Sequence, residues 1–246
     1  MNLHILDHIF FALLVLIFPV WDFFALRKTA ARINAGRTDL RMRLYRRIIA
    51  EEWLATLVVV ATWFLLGRTA GMLGLVPSGG LIALAGYSLT VVLCVMLILQ
   101  AVSVAGSPEE RAKMRKQFDW LSFVIPHEHA ERRTFGVVSV TAGVCEEIVF
   151  RGYLTAYFVA LFGIPLWAGA LLSTAAFGMA HMYQGPAGML KCAAVGGAMA
   201  VLYLMTGSLW APMLAHAAID LTSGYIGYVS FNEDDAPDNG SPELAA

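Results

Sequence analysis

The segment Glu146-Glu147-Ile148-Val149-Phe150-Arg151 places two carboxylates and a guanidinium inside an apolar stretch. On an α-helix Glu147 and Arg151 lie at i and i+4, share a face and can form an ion pair. Glu146 points about 100° away and has no partner within its own helix. One acid is thereby neutralised structurally, and the other is left to accept a proton, as a general base must. Further along the chain, His181 closes the run Phe177-Gly178-Met179-Ala180-His181. His216 precedes Asp220 by one helical turn, a spacing that lets the carboxylate orient the imidazole and stabilise its protonated form. Each group alone has a plain structural reading: an interfacial salt bridge, a histidine at a helix end, a self-satisfied polar pair.

The elements that must position these groups are membrane helices. The chain has 246 residues, 59% of them hydrophobic and 14% charged, whereas a soluble domain carries about 25% charged residues. The apolar residues come in long blocks without amphipathic periodicity, as helices surrounded by lipid require. A crossing helix needs roughly 20 such residues, and seven spans are expected, near 8–26, 48–67, 81–106, 135–161, 165–184, 189–206 and 208–231. The fold class is therefore all-α, a polytopic transmembrane bundle of about seven spans. Residues 1–231 form one membrane domain, and 232–246 an acidic tail expected to be disordered and cytoplasmic.

Charge sets the orientation. Of the 17 Lys and Arg residues, eight lie between Arg27 and Arg47 and six between Arg111 and Arg133. Basic loops stay in the cytoplasm, so the N-terminus is expected outside and the C-terminus inside. Between Arg68 and Gly80, Pro77 and several glycines mark an external loop. Cys94, Cys145 and Cys192 show no paired spacing and read as inert buried thiols. No cleavable leader is evident, because Asp7 stands where a basic leader would be.

An ionisable group at mid-membrane costs about 2.5–3.5 kcal/mol. Glu146, Glu147, Arg151, His181, His216 and Asp220 fall at compatible depths on three spans, so the low-cost arrangement is one shared, water-accessible cavity.

These residues resemble the signature of the CAAX prenyl protease and bacteriocin-processing family. Its first motif, two glutamates, three residues and an arginine, is matched by Glu146, Glu147 and Arg151, followed by Gly152-Tyr153-Leu154. Its second, phenylalanine and histidine separated by three residues, is matched by Phe177 and His181. Its third, histidine and asparagine with the same separation, is matched by His216 and Asp220. Thr206-Gly207-Ser208-Leu209-Trp210 also looks like the family. The resemblance covers residues 136–221 and implies an intramembrane endopeptidase. Glu146 and His181 would activate water, His216 with Asp220 would stabilise the oxyanion, and Glu147 with Arg151 would hold the site. Aspartate in place of asparagine is a departure, because an ionised Asp220 cannot donate a hydrogen bond to an oxyanion.

Two histidines and a glutamate (Glu146, His181 and His216) could also hold zinc with one position open for water, although no His-Glu-x-x-His helix is present. The metal-free glutamate mechanism is the preferred expectation, so the cofactor is none or Zn²⁺. The expected partners are the lipid bilayer and a membrane-associated peptide or protein substrate, with no nucleic acid, and the expected location is a bacterial inner membrane. A non-catalytic immunity or scaffold protein and a proton-coupled transporter are the competing classes. Glu51-Glu52 is expected to pair with Arg46-Arg47 at the interface. His127 and His129, among Glu128, Glu131, Arg132 and Arg133, are expected in a solvated loop.

Overall fold

The computed structural model describes residues 1–232; the acidic tail expected beyond them lies outside the described residues. Among the described residues there are eight helices and no strand. The first, α1, runs Ile5–Asn34 and begins at a capping box, in which the His4 ring accepts from Leu6 N–H while Asp7 reaches back to His4 N–H at 2.8 Å. A turn at Gly36 (φ 97°) leads into α2, Asp39–Leu65. Then come α3, Leu81–Gly106, and the short α4, Pro108–Phe118. A continuous helical rod, α5, joins His129–Glu146, a π-helical segment Glu147–Leu154 and Thr155–Phe162. It is followed by α6, Leu166–Ala180, α7, Gly185–Thr206, and α8, Trp210–Phe231.

Ile5–Asn34, Asp39–Leu65, Leu81–Gly106 and Met182–Thr206 are long and apolar enough to cross a membrane. Their large side chains face outward: on α3, Leu84, Val91, Met96 and Val102 are exposed, while Ala83, Gly86, Thr90 and Ala101 turn inward. An exposed apolar belt of that kind is stable only in lipid, and the chain is an integral membrane protein. The other segments expected as spans are also helical but less regular. Leu166–Ala180 is 15 residues long, about 22 Å at 1.5 Å per residue, and α5 and α8 carry the polar motif residues. The expected count of seven is therefore approximate.

In the assembled bundle α8 packs on α5, α3, α4 and α7, α2 packs on α5, and α6 packs on both α7 and the end of α5. At two glycines on these interfaces a side chain would not fit. A Cβ added at Gly143 of α5 would lie 2.7 Å from Ala217 N of α8, and one at Gly196 of α7 would lie 2.6 Å from Arg151 Nη2. Small residues let membrane helices approach in this way.

The segment 66–80 is irregular, as its glycines and Pro77 suggest, and mostly exposed, but its middle turns inward. Leu73 is fully buried in the main apolar cluster beside Trp63, Tyr153 and Leu209. Gly74 C=O accepts from Leu209 N–H at 2.7 Å, Leu75 C=O from Trp210 Nε1 at 3.0 Å, and Thr206 C=O from the Ser78 hydroxyl. Arg68 donates to both oxygens of Asp7, at 2.8 and 2.5 Å, and the Tyr153 hydroxyl donates to Asp7 C=O at 3.1 Å. Asp7, expected near the end of the first span, is thus buried, because the segment 66–80, termed the plug, brings it a guanidinium.

At the opposite end of α2, Arg41 Nη1 donates to both oxygens of Glu131 at 2.9 Å, and the Tyr45 hydroxyl donates to Val124 C=O at 2.7 Å. Glu131 was expected in a solvated loop and is instead buried, its charge matched by Arg41 from the other basic segment. His127 stacks on Phe231 with ring centroids 4.8 Å apart, and burial pushes its imidazole below the usual histidine range.

Removing one partner of a buried ion pair strands the other charge. Arg68→Ala is expected to lower unfolding stability in detergent by about 3–5 kcal/mol. Arg37→Ala, which breaks the exposed pair with Asp39, is expected to leave the unfolding curve unchanged.

Candidate functional site

The π-helical segment starts at Glu147, immediately after Glu146. Within it Phe150 C=O accepts from Thr155 N–H and, in addition, from Thr155 Oγ1 at 3.1 Å and from the Ser173 hydroxyl of α6. Within this segment the expected pair forms, with Arg151 Nη1 donating to Glu147 Oε1 at 3.0 Å. Both side chains are inaccessible to solvent. Arg151 Nη2 donates to Gly196 C=O of α7 at 2.9 Å, and the guanidinium lies 4.3 Å above the Phe177 ring of α6. One arginine therefore ties together three helices.

The same Glu147 oxygen accepts from His216 Nδ1 of α8 at 2.8 Å. A carboxylate can only accept, so Nδ1 carries a proton. His216 Nε2 then faces Glu146 Oε2 at 3.6 Å and Asp220 Oδ2 at 3.7 Å. Those separations are longer than hydrogen bonds. The sequence pointed to Asp220 as the residue orienting His216, whereas the close contact comes from Glu147 across a helix interface. Asp220 stands further off and is about one-third exposed.

His181 is the C-cap residue of α6, and its Nδ1 donates to Phe177 C=O at 2.9 Å. That bond satisfies an end-of-helix carbonyl and fixes the ring, so in the neutral tautomer Nε2 is the acceptor. Phe177 connects the two histidines, its ring centroid lying 4.6 Å from that of His181 and 6.0 Å from that of His216. Asp220 lies within electrostatic reach of Glu146, His181 and His216. All six motif residues therefore gather in one region. Glu147 and Arg151 are fully buried there, and Glu146 is about one-fifth exposed.

Three lining residues were not singled out from sequence. Glu52 of α2 was paired with Arg46-Arg47 at the interface; the structure gives that role to Glu51, which accepts from Arg47 at 2.9 Å. Glu52 instead lies within electrostatic range of Glu146, Asp220 and His216, and among the described residues its Oε2 is buried without a hydrogen-bond partner. The signal was present, because Thr56, Val59 and Trp63 are buried at helical spacing from position 52. Tyr183 and Cys192 also feel the charges of Glu146 and Asp220. Gln184 links them, donating to the Tyr183 hydroxyl at 3.0 Å and accepting from Cys192 at 3.4 Å.

Among the described residues no three His, Cys, Asp or Glu side chains converge in a way that could hold a metal ion. Nδ1 of His181 and of His216 is taken by a hydrogen bond, which leaves Nε2 as the nitrogen each ring could offer to a metal.

Residues 131–222 match the family described as Rce1-like, type II CAAX prenyl endopeptidase Rce1-like. The motif-bearing core is similar to this family. The matched stretch runs from Glu131, which anchors the start of α5, to Thr222, two residues beyond Asp220, and so contains every motif residue described above. No curated protein and no solved structure matches the chain.

A methyl group at position 196 would enter the space occupied by Arg151 Nη2 and the Phe177 ring. Gly196→Ala is expected to destabilise the motif-bearing core by about 1–3 kcal/mol through overpacking, measured by thermal unfolding in detergent. Gly197→Ala, where a Cβ would meet nothing within 4 Å, is the matched control and should be neutral.

Proposed function

We propose that the chain is an intramembrane endopeptidase in which Glu146 and His181 activate a water molecule for attack on a peptide carbonyl. The observation that carries this reading is the convergence of Glu146, His181 and His216 around one polar region inside an apolar bundle, with His216 held by the Glu147–Arg151 pair. The Rce1-like match over residues 131–222 supports hydrolysis of a peptide bond as the reaction class.

In this mechanism a water lies between the Glu146 carboxylate and His181 Nε2. Glu146 takes one proton as the water oxygen bonds to the carbonyl carbon, and the carbonyl π electrons move onto its oxygen. His216, in its doubly protonated form, donates Nε2–H to that oxyanion; a preorganised donor in a dry site is worth far more than one in water. Collapse of the tetrahedral intermediate breaks the C–N bond, and Glu146 returns its proton to the leaving nitrogen. Asp220, which can accept but not donate when ionised, supports the charge on His216 and does not contact the oxyanion. Glu147 and Arg151 hold the imidazole at its angle. The steps use no metal ion.

The two basic segments, Arg27 to Arg47 and Arg111 to Arg133, support a cytoplasmic placement of the loops that carry them and of the C-terminus. Cleavage is then placed towards the cytoplasmic side of a bacterial inner membrane, on a membrane-associated peptide or protein.

The test is cleavage of membrane peptides by the purified chain in liposomes. Glu146→Ala and His181→Ala are each expected to reduce turnover by about 10²–10⁴-fold, the usual range for acid–base groups, with insertion and thermal unfolding unchanged. Undiminished cleavage by Glu146→Ala would remove the proposed base. Partner binding that is indifferent to both variants points to a scaffold, and proton-dependent uptake points to a transporter. EDTA is expected to leave turnover intact; loss restored by added zinc would replace this mechanism with a metal-dependent one.

A further inference from the structure

Away from the motif residues, α4 and the C-terminal end of α8 enclose a cleft of about 620 Å³, lined in part by Pro108, Arg111, Arg115, Lys116, Asp119 and Ser230. Among the described residues three cationic side chains and one carboxylate line it. Among the described residues two donors in this cleft have no acceptor: Arg111 Nη1 is buried without a hydrogen-bond partner, and so is the hydroxyl of Ser230, a residue only 3% exposed. Arg115 lies over the Phe231 ring at 5.6 Å. Buried donors in native proteins are matched, so a cationic cleft with unmatched N–H and O–H groups is built for an anion rich in acceptor oxygens. Phosphate fits best, because its tetrahedral oxygens accept both from a guanidinium fork and from a hydroxyl.

The position of the cleft selects the source of that phosphate. Helix α4 follows α3 after a single break at Ser107, which caps α4 by accepting from Glu110 N–H at 3.3 Å. The cleft therefore opens where a membrane-crossing helix ends, at headgroup depth. Exposed Leu99 and Val102 on the last turns of α3 offer an apolar track for acyl chains. Trp120, 41% exposed beside Asp119, is the kind of residue that settles at the membrane–water boundary. We propose that this cleft binds the phosphate of an anionic phospholipid headgroup, held by Arg111, Lys116 and Ser230. This inference is independent of the proposed peptidase activity.

The experiment is thermal unfolding of the purified full chain in neutral detergent, titrated separately with dioleoyl phosphatidylglycerol, dioleoyl phosphatidylcholine and inorganic phosphate. Phosphatidylglycerol is expected to raise Tm, by an amount that falls with salt, while the other two leave it unchanged. Arg111→Gln and Lys116→Gln should each weaken the apparent affinity about fivefold, the factor equivalent to the ~1 kcal/mol a basic residue gains near an anionic leaflet. Ser230→Ala should weaken it without altering net charge. Tm without lipid reports whether each variant still folds. An equal shift with phosphatidylcholine, or with both charge variants, overturns the site. An equal shift with inorganic phosphate overturns the lipid as its source. A shift that appears only when the chain is ended at Asn232 would assign the cleft to the acidic residues that follow, among them Glu233, Asp234 and Asp235.

Discussion

A single oxygen of Glu147 accepts from Arg151 on its own helix and from His216 on α8, with neither partner exposed to water. Inside a bilayer no solvent can substitute for either donor, so the three groups are acceptable only together. Arg151 extends the arrangement to α7 through Gly196 C=O and to α6 through the Phe177 ring. Four helices are thereby fixed relative to one carboxylate. His181 and Glu146 take their places around that centre, the first by capping α6 and the second by immediate adjacency to Glu147.

The close approach of the helices is part of the same constraint. A guanidinium can reach a main-chain carbonyl on another helix only if nothing lies between them, and Gly196 provides that gap. Gly143 of α5, one turn before Glu147, lies against the backbone of Ala217 of α8, the residue after His216. Bulk is excluded at both places, next to the contacts that Arg151 and His216 make across helix interfaces. Elsewhere the bundle is filled by large side chains such as Trp63, Tyr153, Tyr157 and Leu154.

Much of this was legible in the sequence, and the exceptions have a common cause. The all-α membrane architecture follows from long apolar blocks, and the Glu147–Arg151 pair follows from helical spacing. The grouping of Glu146, His181, His216 and Asp220 follows from the cost of burying them separately. Contacts between residues distant in sequence were not legible. Spacing within α8 pointed to Asp220 as the partner of His216, but Glu147, 69 positions earlier, makes the short bond. Glu131 looked solvated until Arg41 reached it from another segment, and Asp7 looked interfacial until Arg68 folded over it. Glu52 was hidden by its neighbour Glu51, which takes the available arginine. Local periodicity tells which face a side chain occupies, whereas the identity of the opposing face depends on the packed bundle.

The π-helical stretch Glu147–Leu154 does more than supply an unusual hydrogen-bond ladder. Each such widening accommodates one extra residue, equivalent to about 100° of azimuth on a regular helix. The rod α5 is thus two helices sharing one axis but set to different rotational phases. The half before Glu147 is indexed to α2 and α8, while the half after it is indexed to α6 and the plug that carries Leu73. The acidic pair lies at the seam between these two settings, where a straight rod could have satisfied one set of neighbours but not both.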